Sequence, residues 1–426
     1  MFDHHSREYA DGWKSIYAAA RGSGCPVIHS ENYGGFHVLT RYADVVAAAA
    51  DYRALSSERS FDDRGQDVGL GTTIPPRPVR LGNLEMDPPV STLYRRLMNK
   101  WFTRAAIERG RARVQEIARW SLGRYSAGAE VDMVGDLAGP FQRMLLFDLV
   151  GLPLDRWLGY REESGHAPAS DFPADDGLLP GERRAIERAR FFGFLADSLR
   201  AEVIHQREHG GTGIIADLAT AEVNGDLLPL EIVNELAVML VAGGDETTVS
   251  TITSTVLHLY RHPEERARLA ADPALLGAAV DEVLRYCSPA LTSARNVVAP
   301  CSYAGRDFVP GERLLLSWAS ANFDESTFAE PDTVDLGRTP NRHVAFGVGP
   351  HRCIGAILAK TAAECFLEEL LRVSPDYEVL EDRIRPAYGD IARFNGWDSL
   401  PIRLCPRYSG GIYPGLPELT EARIAP

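Results

Sequence analysis

The sequence predicts a mainly α protein with small β-sheets, folded as one large domain around a long central helix. Three observations carry this expectation. Leu230–Arg261 follows a near-continuous helical pattern that is apolar around most of its circumference, as in a helix buried on all sides. Helical patterning also dominates from residue 87 to about residue 207. Strand-like patterning is short and falls near residues 26–40, 295–316 and 397–404. No linker, repeat or low-complexity tract divides the middle of the 426 residues, and a 45% hydrophobic content is enough for a sizeable core. One domain is therefore expected over residues 1–407.

The elements follow in order. Residues 26–40 read as a hairpin turning at Tyr33-Gly34-Gly35, and residues 42–50 as a helix. Residues 61–86 are rich in Gly, Pro and Arg without clear periodicity, which predicts a long loop; such loops in compact domains are usually functional or disordered. Asp87-Pro88-Pro89 then opens a helix, with Asp87 as cap and proline in its first turn. A polar Gly/Pro/Asp stretch at 165–181 interrupts the helices. Residues 408–426, with Gly410-Gly411, Pro414 and Pro417, predict a weakly ordered tail.

Composition excludes several classes of function. With 45 basic and 59 acidic residues the net charge is −14, which argues against a nucleic-acid partner. The apolar runs are too short for a membrane span and the first residues too polar for a signal peptide, so a soluble cytoplasmic protein is expected. Six scattered cysteines with no CxxC pair read as reduced thiols, not as a disulfide framework or a zinc site.

Only Cys353 has a context that asks for a role. It closes the glycine-punctuated stretch Phe346-Gly347-Val348-Gly349-Pro350-His351-Arg352 and leads into an amphipathic segment with Ile354, Ile357, Leu358, Phe366 and Leu370 on one face. A sulfur at a helix N-terminus is favoured as thiolate, and Gly347, Gly349 and Gly355 let the chain turn sharply and a flat ligand approach. A lone cysteine is ordinarily a packing residue, but here a phenylalanine, spaced glycines and a basic pair accompany it. Such a thiolate is suited to ligating haem iron and favouring O–O cleavage. A second constellation lies inside the central helix: Gly243-Gly244-Asp245-Glu246-Thr247-Thr248. Paired glycines there cost about 1 kcal/mol each relative to alanine, and a buried acid costs more unless hydrogen-bonded. Costly local choices of this kind mark functional sites.

Residues 346–355 resemble the haem-binding loop of the cytochrome P450 family, and residues 243–248 its oxygen-activation motif; the likeness extends over about residues 11–404. The resemblance implies the fold of that family, with the long helix over haem b and Cys353 on its iron. It implies that Gly243 opens the helix wall, that Glu246 relays protons and that Thr247 holds oxygen and its water while bonding back to the Gly243 carbonyl. It places Phe346, Gly347 and Gly355 in the cofactor loop and Arg95, Arg295 and His351 on the propionates. Glu282, Arg285 and Arg338 match the family's buried structural triad. The chain departs from the pattern at Ser91, where many members carry histidine, and at Phe323 and Lys360, which replace common arginines.

By position in the family, Met239, Ala242, Leu291 and Phe394 line an apolar substrate pocket, suited to a terpenoid or another small lipophile. Arg77 or Arg80 is a weaker candidate for clamping a carboxylate. The resemblance leaves no room for a reductase domain, so electrons from NAD(P)H are expected through a separate reductase and ferredoxin. Arg95, Arg96, Lys100, Arg342, Arg352 and Lys360 form a candidate docking patch for an acidic ferredoxin. Alternatives are the same site in desaturation, coupling or peroxide-driven oxidation, or a haem-binding sensor without turnover.

Overall fold

The computed structural model describes residues 2–126, 128–153, 179–387, 394–405 and 424–425. Its axis is the helix Leu230–Arg261, whose 32 residues span about 48 Å at 1.5 Å per residue. Val233, Leu236, Ala237 and Leu240 bury one stretch of it, and Val249, Ile252, Val256 and Leu257 bury the next. The threonines of its second half return their hydroxyls to carbonyls one turn back, Thr251 to Thr247 at 2.9 Å and Thr255 to Thr251 at 2.7 Å. Those bonds satisfy polar groups that would otherwise be stranded in the core. Helices Gly139–Val150, Pro180–His209, Leu276–Cys287 and Ala356–Val373 pack around this axis.

A five-stranded sheet closes one side, in the order Val27–Ser30, Phe36–Leu39, Arg313–Ser317, Thr292–Val297, Leu55–Ser56. Its neighbours pair antiparallel except Arg313–Ser317 with Phe36–Leu39, which run parallel with Leu315 opposite Val38. A smaller sheet joins Glu378–Val379, Pro401–Arg403 and Glu130–Asp132. The hairpin at 26–40, the helix Tyr42–Ala50 and the central helix lie where the sequence predicts them. Among the described residues no helix is long and apolar enough to cross a membrane.

Four expectations change. The stretch 61–86 contains more than loop: Arg59–Phe61 pairs with Asp67–Leu70, and Gly82–Glu85 is a 3-10 turn. This hairpin lacks apolar alternation and is held by arginines, one of its own and one from the five-stranded sheet. Arg59 donates to the carbonyls of Arg77 (2.8 Å) and Gly69 (3.0 Å), and Arg313 to those of Gly71 (2.9 Å) and Thr73 (3.1 Å). Asp87 is not a helix cap; its carboxylate accepts from the Ser57 N–H (2.9 Å) and the Ser56 hydroxyl (2.5 Å), and Val90–Met98 starts after Pro89 with no side-chain cap. The helix after the cysteine loop starts at Ala356, three residues beyond Cys353. Ile424, within the tail, is buried and its N–H donates to Asp148 at 2.8 Å. The rest of the tail except residue 425, and most of the polar stretch at 165–181, lie outside the described residues.

Candidate active site

The cysteine loop folds back on itself. The N–H of Cys353 donates to the carbonyl of Phe346 and that of Gly347 to Val344, both at 2.8 Å. Gly347 (φ +64°) and Gly349 (φ +75°) occupy the left-handed region, and a Cβ on Gly349 would stand 2.6 Å from the Ala49 carbonyl oxygen. Only glycine fits there without shifting the Tyr42–Ala50 helix. Cys353 is exposed, and a Cβ added at Gly355 would stand 3.9 Å from its Sγ. Burial by the surrounding protein raises the Cys353 pKa, against the Gly355 N–H and the charges of Arg95 and Arg352. The helix that the sequence placed at the sulfur begins only at Ala356, so Cys353 itself stands outside its first turn. A coordinated metal cation reverses the upward shift, since it deprotonates a ligating thiol outright.

Arg95, Arg295 and His351 converge beside this loop. Burial, then the charges of Arg295 and Arg95, push the His351 pKa down to about 3. Burial likewise pulls Arg295 down to about 10 and lowers Arg95. Among the described residues no carboxylate forms an ion pair with either arginine, and the buried Nε2 of His351 has no hydrogen-bond partner. Two arginines around an orphaned imidazole nitrogen fit a group bearing carboxylates, and the accessible sulfur next to them fits a thiophilic metal. Haem, with two propionates and an iron, meets both requirements. Ser91 is buried on the helix Val90–Met98, its N–H bonded to the Asp87 carbonyl at 3.1 Å.

In the central helix the two glycines differ. A Cβ on Gly243 would meet nothing within 4 Å, whereas one on Gly244 would collide with Leu146 at 2.5 Å. Gly244 is thus a packing glycine, its carbonyl accepting from Gln142 at 2.9 Å, and Gly243 is the open one. Thr247 donates to the Gly243 carbonyl at 3.4 Å, a long bond, and the helix runs unbroken through both residues. Glu246, expected as a buried acid, is exposed.

Glu282, Arg285 and Arg338 meet as expected. Arg285 grips Glu282 at 2.9 and 2.7 Å, and Nε of Arg338 reaches both carboxylate oxygens at 3.1 Å. The Asp335 N–H and the Asn341 amide complete the shell of Glu282. Arg285 also donates to the Asn322 carbonyl (3.0 Å), and Asn322 Oδ1 accepts from the Val344 N–H (2.7 Å), tying this cluster to the start of the cysteine loop. No sequence pattern signals Asn322; only the fold brings it there.

Of the pocket candidates, Ala242 and Phe394 are half-buried and Met239 is nearly covered. Leu291 has no accessible surface and packs with Phe36, Ile74 and Phe323 in the sheet-side core, so it does not line a cavity. Arg77 and Arg80 are engaged, Arg77 with buried Glu85 (2.7 Å) and Arg80 with Glu235 (2.8 Å). Of the basic patch, Lys100 pairs with Asp217 (2.8 Å) and Lys360 with Asp281 (2.6 Å), while Arg96, Arg342 and Arg352 are exposed and Arg95 is half-buried. Phe323 packs edge-on against Trp13 and takes the Lys14 ammonium over its ring at 4.5 Å. A groove of about 620 Å³ at the C-terminal end of the central helix, lined by Tyr260, Tyr377 and Glu381 among others, contains none of these site residues.

Comparison with known proteins gives concordant results. The family model of Cytochrome P450 matches residues 198–374. Steroid C26-monooxygenase of Mycobacterium tuberculosis is 30% identical over 375 residues, 85% of this chain and 95% of the relative. Linalool 8-monooxygenase of Pseudomonas putida is 30% identical over 358 residues, 82% and 83% of the two chains. The crystal structure of CYP109E1 from Bacillus megaterium in complex with testosterone superposes with a TM-score of 0.80 at 26% identity, covering 94% of this chain and 99% of the other.

Proposed function

The chain belongs to the cytochrome P450 family and is a cytochrome P450 monooxygenase, and on that premise we propose that it is a cytoplasmic haem-thiolate enzyme, one domain over residues 1–407, acting on a small lipophilic substrate of the terpenoid kind. It inserts one oxygen atom of O2 into a C–H bond, with electrons from NAD(P)H delivered through a separate reductase and ferredoxin. One C–H bond, one O2, two electrons and two protons give one alcohol and one water. The observation that carries the reading is the orphaned His351 Nε2 beside Arg95, Arg295 and the accessible Cys353.

Haem b supplies the redox centre at which O2 is activated. Cys353 would ligate its iron, Arg95, Arg295 and His351 would hold the propionates, and Phe346, Gly347 and Gly355 would let the loop receive the ring. Glu246 is exposed, so it exchanges protons with water and passes them inward. The hydroxyl of Thr247 is held only by a 3.4 Å bond and turns readily to orient a water in the opening left by Gly243. Met239, Ala242 and Phe394 form an apolar wall suited to a lipophile. That substrate class agrees with the steroid and linalool named for two relatives. Arg96, Arg342 and Arg352 offer an acidic ferredoxin a basic face on a chain of net charge −14.

Titration of the purified ferric protein with terpenoids, fatty acids, aromatics and carboxylates tests the substrate class. A low-to-high spin shift with terpenoids is expected. A shift confined to another class contradicts that assignment.

A further inference from the structure

Two residues outside the chemistry above fix the segment that carries Phe394. Ser250 stands one turn beyond Glu246 and Thr247 on the central helix and shares their face, since residues three and four apart are neighbours on a helix surface. Its buried hydroxyl donates to the carbonyl of Asn395. A Cβ on Gly396 would lie 3.2 Å from Ser250 Cβ and Oγ, so the segment lies close against the helix and a side chain there would press on Ser250. Asn395 also donates from its side-chain amide to the Cys287 carbonyl at 2.6 Å and from its N–H to the Pro289 carbonyl at 3.0 Å. Phe394 itself makes a backbone bridge to Ala290.

The segment is thus tied to the helix that carries Gly243 and Thr247 and to the end of the helix Leu276–Cys287 that carries Arg285. The side chain of phenylalanine turns about only two bonds, so where its backbone is held largely decides where the ring stands. We propose that Ser250 and Asn395 are positioning residues that set the place of Phe394 in the substrate cavity, and through it the size and shape of ligand the site accepts. The proposal rests on the haem-thiolate reading above.

The full-length, haem-loaded protein and its Ser250→Ala, Asn395→Ala, Gly396→Ala and Phe394→Ala variants are titrated with imidazole and with 4-phenylimidazole, following the Soret shift. Imidazole reports the iron and its immediate surroundings, and the added phenyl ring reports the cavity wall. Each variant is expected to keep the wild-type Kd for imidazole and to weaken 4-phenylimidazole about tenfold, equivalent to about 1.4 kcal/mol. The double variant Ser250→Ala/Phe394→Ala is expected to be no weaker than Phe394→Ala alone, because Ser250 acts through Phe394. An unchanged Kd for 4-phenylimidazole, an equal loss for both ligands, or additive losses in the double variant each overturn the proposal. Absence of any imidazole shift in the wild type overturns the haem-thiolate reading itself.

Discussion

Arg285 grips Glu282 through two parallel N–H···O bonds of 2.9 and 2.7 Å, and neither side chain has any solvent exposure. Every oxygen of that carboxylate is further occupied by Arg338, Asn341 or the Asp335 N–H. Removing one partner leaves a charge buried and uncompensated. Arg285→Ala is expected to destabilise the fold by about 3–5 kcal/mol, read as a lower denaturant midpoint. Arg338→Ala, on the partly exposed side of the cluster, is expected to cost less.

The two helix glycines respond in opposite directions. Gly243→Ala meets open space and gains about 1 kcal/mol of helix propensity. Gly244→Ala drives its methyl into Leu146 and costs about 1–3 kcal/mol through overpacking. Urea denaturation of both variants checks this; shifts of the same sign contradict it.

Thr247→Ala is expected to keep haem and NADH consumption while diverting oxygen to hydrogen peroxide, because the hydroxyl that orients water is gone. Peroxide and product are measured per NADH consumed. Coupling equal to wild type removes Thr247 from its role.

The helix Leu230–Arg261 was legible because its apolar residues recur on either side of Gly243–Thr248 and prolines flank it at Pro229 and Pro263. The meeting of Glu282, Arg285 and Arg338 was legible because Glu282 and Arg285 stand three apart on one helix and Arg338 completes a set. The hairpin of Arg59–Phe61 with Asp67–Leu70 was not, because side chains as distant as Arg313 secure the chain that follows it. Distance in sequence also hid the partners of Arg80 and Lys360, which neutralise charges that read as free. Leu291 was misplaced because its apolar character suits a core and a cavity equally, and only its full burial in the cluster that includes Phe36 and Phe323 separates them. The bond from Ser250 to Asn395, 145 residues apart, has no local signature at all.

Ile424 anchors the chain end against Gly110, where a Cβ would stand 3.3 Å from its Cγ2, and its N–H completes the shell of buried Asp148 beside Arg113. Ile424→Ala is expected to cost about 2–5 kcal/mol, seen as a lower melting temperature. An unchanged melting temperature shows that the anchor contributes nothing.

Stability is expected to fall in acid, with Glu85 as one cause. Burial alone raises the Glu85 pKa, but Arg77 and the N–H groups of Thr72 and Leu81 overcome it and hold the carboxyl below its ordinary value. Charges on Arg295, Arg313 and Glu235 act on the same group. A folded-state pKa below the unfolded one means the unfolded chain binds more protons, so this contribution is complete above the ordinary carboxyl range and is lost as pH falls through the lowered value. In Glu85→Gln the slope of stability against pH in that window should shrink.

The central claim is that Cys353 binds haem iron as thiolate. The most direct measurement is the ferrous–CO difference spectrum of the wild type and of Cys353→Ser. The account predicts the thiolate-specific Soret band in the wild type and its loss in Cys353→Ser. The same band persisting in Cys353→Ser, or absent from a haem-loaded wild type, contradicts it.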